Sequence, residues 1–169
     1  MKLSSILIVL IFAQNALNAQ DYSDSISVNF FLLDECRISQ SISGEISYVD
    51  SVYNTVPFHF KAYFPSELKR DEEISEFMKT YKLDIDYTAD YDRKATNFYG
   101  ATVAPEVVVY DERNKKILYK GRIDNSYADV GVRRRVTTSR DLRKVLQLIL
   151  EGKAIKDPRT KAIGCYLNH

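Results

Sequence analysis

The chain has 169 residues, a mass of 19.5 kDa and a formal net charge of +1, which fits one domain plus short extensions. With 45% apolar and 28% charged residues, six Gly and four Pro, it is neither largely disordered nor collagenous, and the absence of a basic excess argues against nucleic-acid binding. Two cysteines exclude a disulfide-scaffold protein and a four-thiolate zinc site, and two histidines, one of them the terminal His169, leave little material for a metalloenzyme.

The first segment reads as an address. Lys2 precedes an apolar block from Ile6 to Ala13, too short to span a bilayer. Small residues follow at Ala16 and Ala19, then the polar run Gln20-Asp21. This order predicts a secretory signal cleaved after Ala19. The boundaries are therefore 1–19 for the signal and 20–169 for a single domain with a C-terminal tail from 153 to 169. No Cys lies near the cut to carry a lipid, so the mature chain is expected to have no membrane anchor. It is expected to be exported, to the periplasm or beyond, where oxidising surroundings let its two cysteines pair.

In the mature chain, Ile26 to Leu33 (ISVNFFLL) is an apolar run of strand length. Ile38, Ile42, Ile46, Val49 and Tyr53 then recur on one helical face. Pro57 to Phe64 predicts a second strand, broken by Pro65-Ser66. Asp71-Glu72-Glu73 opens a helix whose dipole favours acids there, with Ile74, Phe77, Met78 and Tyr81 as its apolar face. Residues 83–92 predict a short strand and turn. Ala95, Phe98 and Tyr99 mark a short helix stopped by Gly100. Glu106 to Tyr110 and Lys116 to Ile123 flank the polar turn Asp111 to Lys115 as a hairpin. Residues 124–138 read as a loop containing Arg133-Arg134-Arg135. Ser139 is the expected N-cap of a last helix with Leu142, Val145, Leu146 and Ile149 inside, closed by Gly152. Early strands alternating with helices imply parallel pairing. The late hairpin adds antiparallel strands, so the expected fold is α/β with a mixed central sheet flanked by helices.

That order, with Cys36 between the first strand and its helix, resembles the thioredoxin fold. Val103-Ala104-Pro105 resembles the segment carrying the thioredoxin cis-proline, and this implies a cis Ala104–Pro105 bond facing Cys36. The chain is more closely similar to exported redoxin-like proteins related to the alkyl hydroperoxide reductase/thiol-specific antioxidant superfamily. The residues that carry the similarity are Cys36-Arg37-Ile38-Ser39, Ala104-Pro105-Glu106, Gly121-Arg122-Ile123-Asp124, Asp141-Leu142 and Gly164-Cys165. It spans roughly residues 26–167, and its second half is the specific part. The departures are informative. Arg37 stands for the usual Pro, Ala104 for Thr, and Ser39 stands where thioredoxin has its second cysteine. Leu33 and Pro105 occupy the places of the peroxiredoxin hydroxyl and arginine that polarise a peroxide, so peroxidase activity is not expected.

The resemblance implies thiol–disulfide chemistry at Cys36, with Pro105 shaping the site. At a helix start, free N–H groups and the dipole stabilise a thiolate. Arg37 adds positive charge, and the Ser39 hydroxyl is placed to donate to the sulfur. Asp34 and Glu35 oppose this by raising the thiol pKa. Cys165 is the one other cysteine in the sequence. It is either the resolving partner of a nucleophile or half of a structural disulfide, which would tie down a long loop and contribute about 4–5 kcal/mol in the chain-entropy model. The first reading makes the protein a thiol–disulfide oxidoreductase acting on protein or small-molecule thiols and disulfides. The second makes it a non-catalytic binding module. A third, copper handling by the cysteines with His59 or His169, is weaker, because such proteins hold two cysteines close in sequence. His59, between Phe58 and Phe60, is expected to be a packed strand residue. Arg122 and Asp124 are expected to pair at the hairpin end, and Arg133 to Arg135 to be solvated. No cofactor and no metal is implied.

Overall fold

The structure, a computed structural model, describes residues 26–54 and 58–167. The expected signal, Pro57 and His169 lie outside the described residues. Among these residues no helix is long and apolar enough to cross a membrane.

Five strands form the central sheet: β1 (Ile26–Phe31), β2 (Phe58–Phe64), β3 (Asp86–Ala89), β5 (Glu106–Asp111) and β6 (Lys116–Gly121), in the order β3-β2-β1-β5-β6. β4 (Val103–Ala104) precedes β5 and stands outside this sheet. β1 pairs parallel with β2, β2 parallel with β3, and β5 antiparallel with both β1 and β6. The mixed sheet expected from the element order is therefore present. β1 lies at its centre, which explains why every residue of it but the half-buried Ser27 is buried, on both faces. Val28 and Phe30 face the main core, while Phe31 faces a second, smaller one. Asn29 is buried there too, with its side-chain N–H groups donating to Ser27 Oγ and Val108 O.

The helices are α1 (Arg37–Tyr53), α2 (Asp71–Thr80), α3 (Lys94–Tyr99) and α4 (Asp141–Leu150). The five residues assigned to the inner face of α1 are all buried. So are Leu142, Val145, Leu146 and Ile149 of α4. Both helices share the main core with Val28, Phe30, Val107 and Val109. The smaller core gathers Phe31, Tyr99, Ala101, Ala104, Val108, Tyr110 and Leu167.

Several local expectations need correction. The short helix expected before Gly100 is α3, which buries Thr96 and Tyr99 and leaves Phe98 exposed. Ser139 is not the cap of α4. That position falls to Arg140, without a side-chain cap, and the Ser139 carbonyl is used instead by Asn125 N–H. The 124–138 loop contains a small hairpin, β7 (Tyr127–Asp129) with β8 (Val132–Arg133). Arg122 pairs with Asp141 at 2.9 Å and Asp124 with Arg140 at 2.9 Å, since α4 delivers opposite charges to both. His59 is exposed, because strand alternation turns it away from the buried Phe58 and Phe60 onto an uncovered stretch of the sheet. The tail is no loose end. Lys120 bridges to Arg159, Thr160 Oγ1 lies 2.6 Å from the Tyr119 hydroxyl, and β9 (Cys165–Tyr166) pairs antiparallel with β4.

Candidate active site

β1 ends at Phe31, and a short turn carries the chain into α1 with Cys36 at its N-cap. Cys36 has extended backbone angles (φ −78°, ψ 114°) and offers no side-chain cap of its own. Its N–H donates to Leu33 O and its carbonyl already accepts from Gln40 N–H, so it is half inside the helix. The first turn of α1 holds no acidic side chain. The free N–H groups and the positive end of the dipole are thus left to the Cys36 sulfur.

Opposite Cys36 runs the Val103-Ala104-Pro105 segment, with a cis Ala104–Pro105 bond as the resemblance implied. Cys36 Sγ lies 3.4 Å from Ala104 O, to which the thiol form donates. Ala104 in turn stands opposite Cys165 in the β4–β9 ribbon. One residue, Ala104, therefore touches both cysteines, and the two sulfurs are close enough to share a hydrogen bond. Both cysteines are thiols in this structure.

The electrostatics of the pair are unequal. Burial pushes the Cys36 pKa up. It is outweighed by hydrogen bonds from the Cys165 thiol and from the main-chain N–H groups of Ser39, Ile38 and Cys165, and the Cys36 pKa ends below that of an ordinary thiol. Cys165 moves the other way. Burial raises it, and so do its proton donation to Cys36, the charge on Cys36 and the nearby Glu35. Of the two, Cys36 loses its proton first, with Cys165 as the donor to it.

Two parts of the sequence reading change here. Ser39 contributes to Cys36 through its main chain, while its buried hydroxyl oxygen accepts Leu33 N–H at 3.3 Å. Asp34 does not burden Cys36 as expected. Its carboxylate is held by Arg70 at the start of α2, with Nε and Nη2 donating at 3.0 and 2.6 Å to one oxygen, while Glu35 lies 3.6 Å from the same guanidinium. Arg70 is the site residue that sequence reasoning missed. It is one charged residue among many, remote in sequence from Cys36, and carries no local signal. Arg37 is exposed. Beside the pair, Pro105, Ile38, Ile123, Tyr127 and Ile163 line a cleft of about 20 Å³, close to the size of one water molecule. Among the described residues no cluster of three or more His, Cys, Asp or Glu side chains is placed to hold a metal ion.

No protein-family model matches the chain, and no curated protein does. Solved structures do. An uncharacterized conserved protein from Geobacillus kaustophilus superposes with a TM-score of 0.75 at 20% identity, covering 88% of this chain and 79% of that one. A secreted Mycobacterium tuberculosis disulfide oxidoreductase homologous to E. coli DsbE gives 0.54 at 16% identity, covering 75% and 84%. A putative thioredoxin from Neisseria meningitidis gives 0.56 at 18% identity, covering 79% and 78%. The fold is thioredoxin-like, with a mixed sheet flanked by helices.

Proposed function

We propose that this chain is an exported thiol–disulfide oxidoreductase in which Cys36 is the nucleophile and Cys165 the resolving thiol. The observation that carries this is the Cys36 sulfur at the N-cap of α1, 3.4 Å from Ala104 O, with Cys165 opposite that same residue in the β4–β9 ribbon. The Cys36 thiolate attacks one sulfur of a client disulfide. A Cys36–client disulfide forms, and the other client sulfur leaves as a thiolate and takes a proton. Cys165 then gives up its proton and attacks the Cys36 sulfur, forming the Cys36–Cys165 disulfide and releasing the second client thiol. Two electrons pass from the protein dithiol to the client, and the reverse sequence oxidises a client dithiol. Export is supported by the N-terminal sequence and by the secreted Mycobacterium tuberculosis protein of like fold.

The test mixes the reduced mature chain with oxidised glutathione and follows the products by mass spectrometry. Wild type is expected to end as an intramolecular disulfide, 2 Da lighter than the dithiol. Cys165→Ser is expected to stop at the glutathione adduct, and Cys36→Ser to lose the exchange. Undiminished exchange in Cys36→Ser overturns the proposal. With hydrogen peroxide in place of the disulfide, wild type is expected to react no faster than a simple thiol, since Leu33 and Pro105 supply no donor to the breaking O–O bond.

A second reading, a structural staple, has one observation in its favour: Cys36 is only 3% exposed. The reduction potential of the pair separates the two, a staple lying below about −300 mV and an exchanging pair above it.

A further inference from the structure

The segment Gly164–Leu167 is fastened to the site at three points. Its main chain lies antiparallel on β4, with Val103 opposite Tyr166 and Ala104 opposite Cys165, and Leu167 N–H extends the pairing to Thr102 O at 3.0 Å. Gly164 crosses the Ala104–Pro105 peptide so closely that a Cβ would lie 2.1 Å from Ala104 O and 2.5 Å from its carbonyl carbon. Leu167, 4% exposed, fills an apolar seat made by Phe31, Tyr99, Ala101, Val108 and Tyr110. Between these fastenings Cys165 faces Cys36, while Tyr166 points outward at 79% exposure.

This strap has the form of a bound peptide. Main-chain pairing to a strand edge is independent of sequence, and side-chain slots on alternate residues select it. Here the slots accept no side chain before the cysteine and an aliphatic one two residues after it. The strap also accounts for the burial of Cys36, since its cysteine sits against that sulfur. A thiolate attacks a disulfide only where the second sulfur pair can reach it, and with the strap seated there is no such approach.

We propose that Gly164–Leu167 is a built-in occupant of the client seat, an autoinhibitory strap whose release exposes Cys36. Its competitors are extended polypeptide segments of the pattern glycine–cysteine–any residue–aliphatic. This rests on the exchange chemistry proposed above. With the strap lifted, one cysteine of a client disulfide takes the place of Cys165; the Cys36 thiolate attacks its sulfur, the client S–S bond breaks as the mixed disulfide forms, and the other client sulfur leaves as a thiolate and takes up a proton. When the strap reseats, Cys165 attacks the Cys36 sulfur, and the client is expelled from the seat as its sulfur leaves as a thiolate and takes up a proton. Release of the client and closure of the site are then one event.

The test reads the accessibility of Cys36 without any disulfide chemistry. In reduced full-length Cys165→Ser protein, iodoacetamide labels only Cys36, and the rate is measured over a range of pH so that a changed thiolate fraction is not mistaken for opening. Adding Leu167→Ala is expected to accelerate labelling by about tenfold or more, because most of the burial of a leucine side chain is lost on closing. Gly164→Ala, which cannot take the seat without displacing Ala104, is expected to do the same should the leucine variant fold poorly. A peptide of residues 162–167 with Cys165→Ser, added in trans, is expected to slow labelling of the Leu167→Ala variant again. Unchanged labelling in both variants, or no protection by the peptide, overturns the strap. Accelerated labelling in a protein that exchanges with no disulfide overturns the oxidoreductase reading and leaves the strap standing. Exchange with unaccelerated labelling does the reverse.

Discussion

At Cys36 the balance of charge turns on groups that hold hydrogen bonds rather than on formal charges nearby. Arg70 removes Asp34 from the account by a forked ion pair, and the neutral N–H groups of Ile38 and Ser39 then stabilise the thiolate. The pH dependence follows in sign. The Cys36 thiol is lowered below its ordinary value of 9.0, so its rate of alkylation is expected to reach half-maximum below that pH, while Cys165 titrates above it. Linked stability has opposite signs for the two. The contribution of Cys36 is present above the ordinary thiol value and lost as pH falls through the lowered one. That of Cys165 is present below the ordinary value and lost as pH rises through the raised one. Arg70→Ala frees the Asp34 carboxylate beside the site, and the Cys36 midpoint is expected to move up. Alkylation rate against pH for the two proteins checks this, and coincident curves would dismiss the role given to Arg70.

Among the elements, α1 shows how far local pattern reaches. Ile38, Ile42, Ile46, Val49 and Tyr53 repeat at helical spacing, and burial follows that spacing residue for residue. Gly44 sits on the outer face, where an added Cβ meets nothing within 4 Å. Gly44→Ala is therefore expected to stabilise the protein by about 0.5–1 kcal/mol through backbone entropy alone, read as a higher melting temperature with unchanged exchange rate. A lower one would mean that the outer face of α1 is covered. The end of α4 behaves oppositely. Gly152 has φ +62°, and the N–H groups of Gly152 and Lys153 return to Ile149 O and Leu148 O, a closing turn that needs a left-handed residue. These signals were legible because each depends on neighbours within a few residues. The start of α4 was not. Ser139 has the right side chain for a cap, but its carbonyl is claimed by Asn125, which also receives Thr138 and Ser139 N–H on its own side-chain oxygen.

Across the whole molecule, charges join elements that the sequence keeps far apart. Glu45 of α1 accepts from Arg140 and from Arg143 of α4, and Arg140 also reaches Asp124 at the end of the hairpin. Glu106, next to Pro105, is a buried carboxylate near the site. It accepts Thr102 N–H at 3.0 Å, and Thr102 O in turn holds Leu167. Burial raises the Glu106 pKa above the ordinary 4.5, against the pull of Thr102 N–H and Lys120. A raised carboxyl favours the protonated form in the folded state. Its contribution is complete below the ordinary glutamate value and is lost as pH rises through the raised one. Glu106→Gln keeps an acceptor for Thr102 without the charge. It is expected to flatten the decline in stability with pH over this window. Denaturant midpoints measured from acid to neutral pH test it, and a slope equal to that of wild type would show that Glu106 does not titrate there.

The sequence by itself determined the order of the central strands and the helices, the mixed sheet, the inner faces of α1 and α4, and the helix-start position of Cys36. Each is written in a short repeat, a turn or a cap, where covalent neighbours set the geometry. Resemblance carried the reading further, to the cis Ala104–Pro105 bond opposite Cys36. Only the tertiary structure decided that Ala104 touches both cysteines, that Arg70 takes Asp34, that Ser39 works through its main chain and that His59 faces solvent. It also turned an expected tail into the strap whose ribbon, glycine crossing and leucine seat stand against Cys36. The reason is common to all of these. Each depends on which distant segments the sheet brings side by side, and a one-dimensional pattern of polarity and spacing does not encode that proximity.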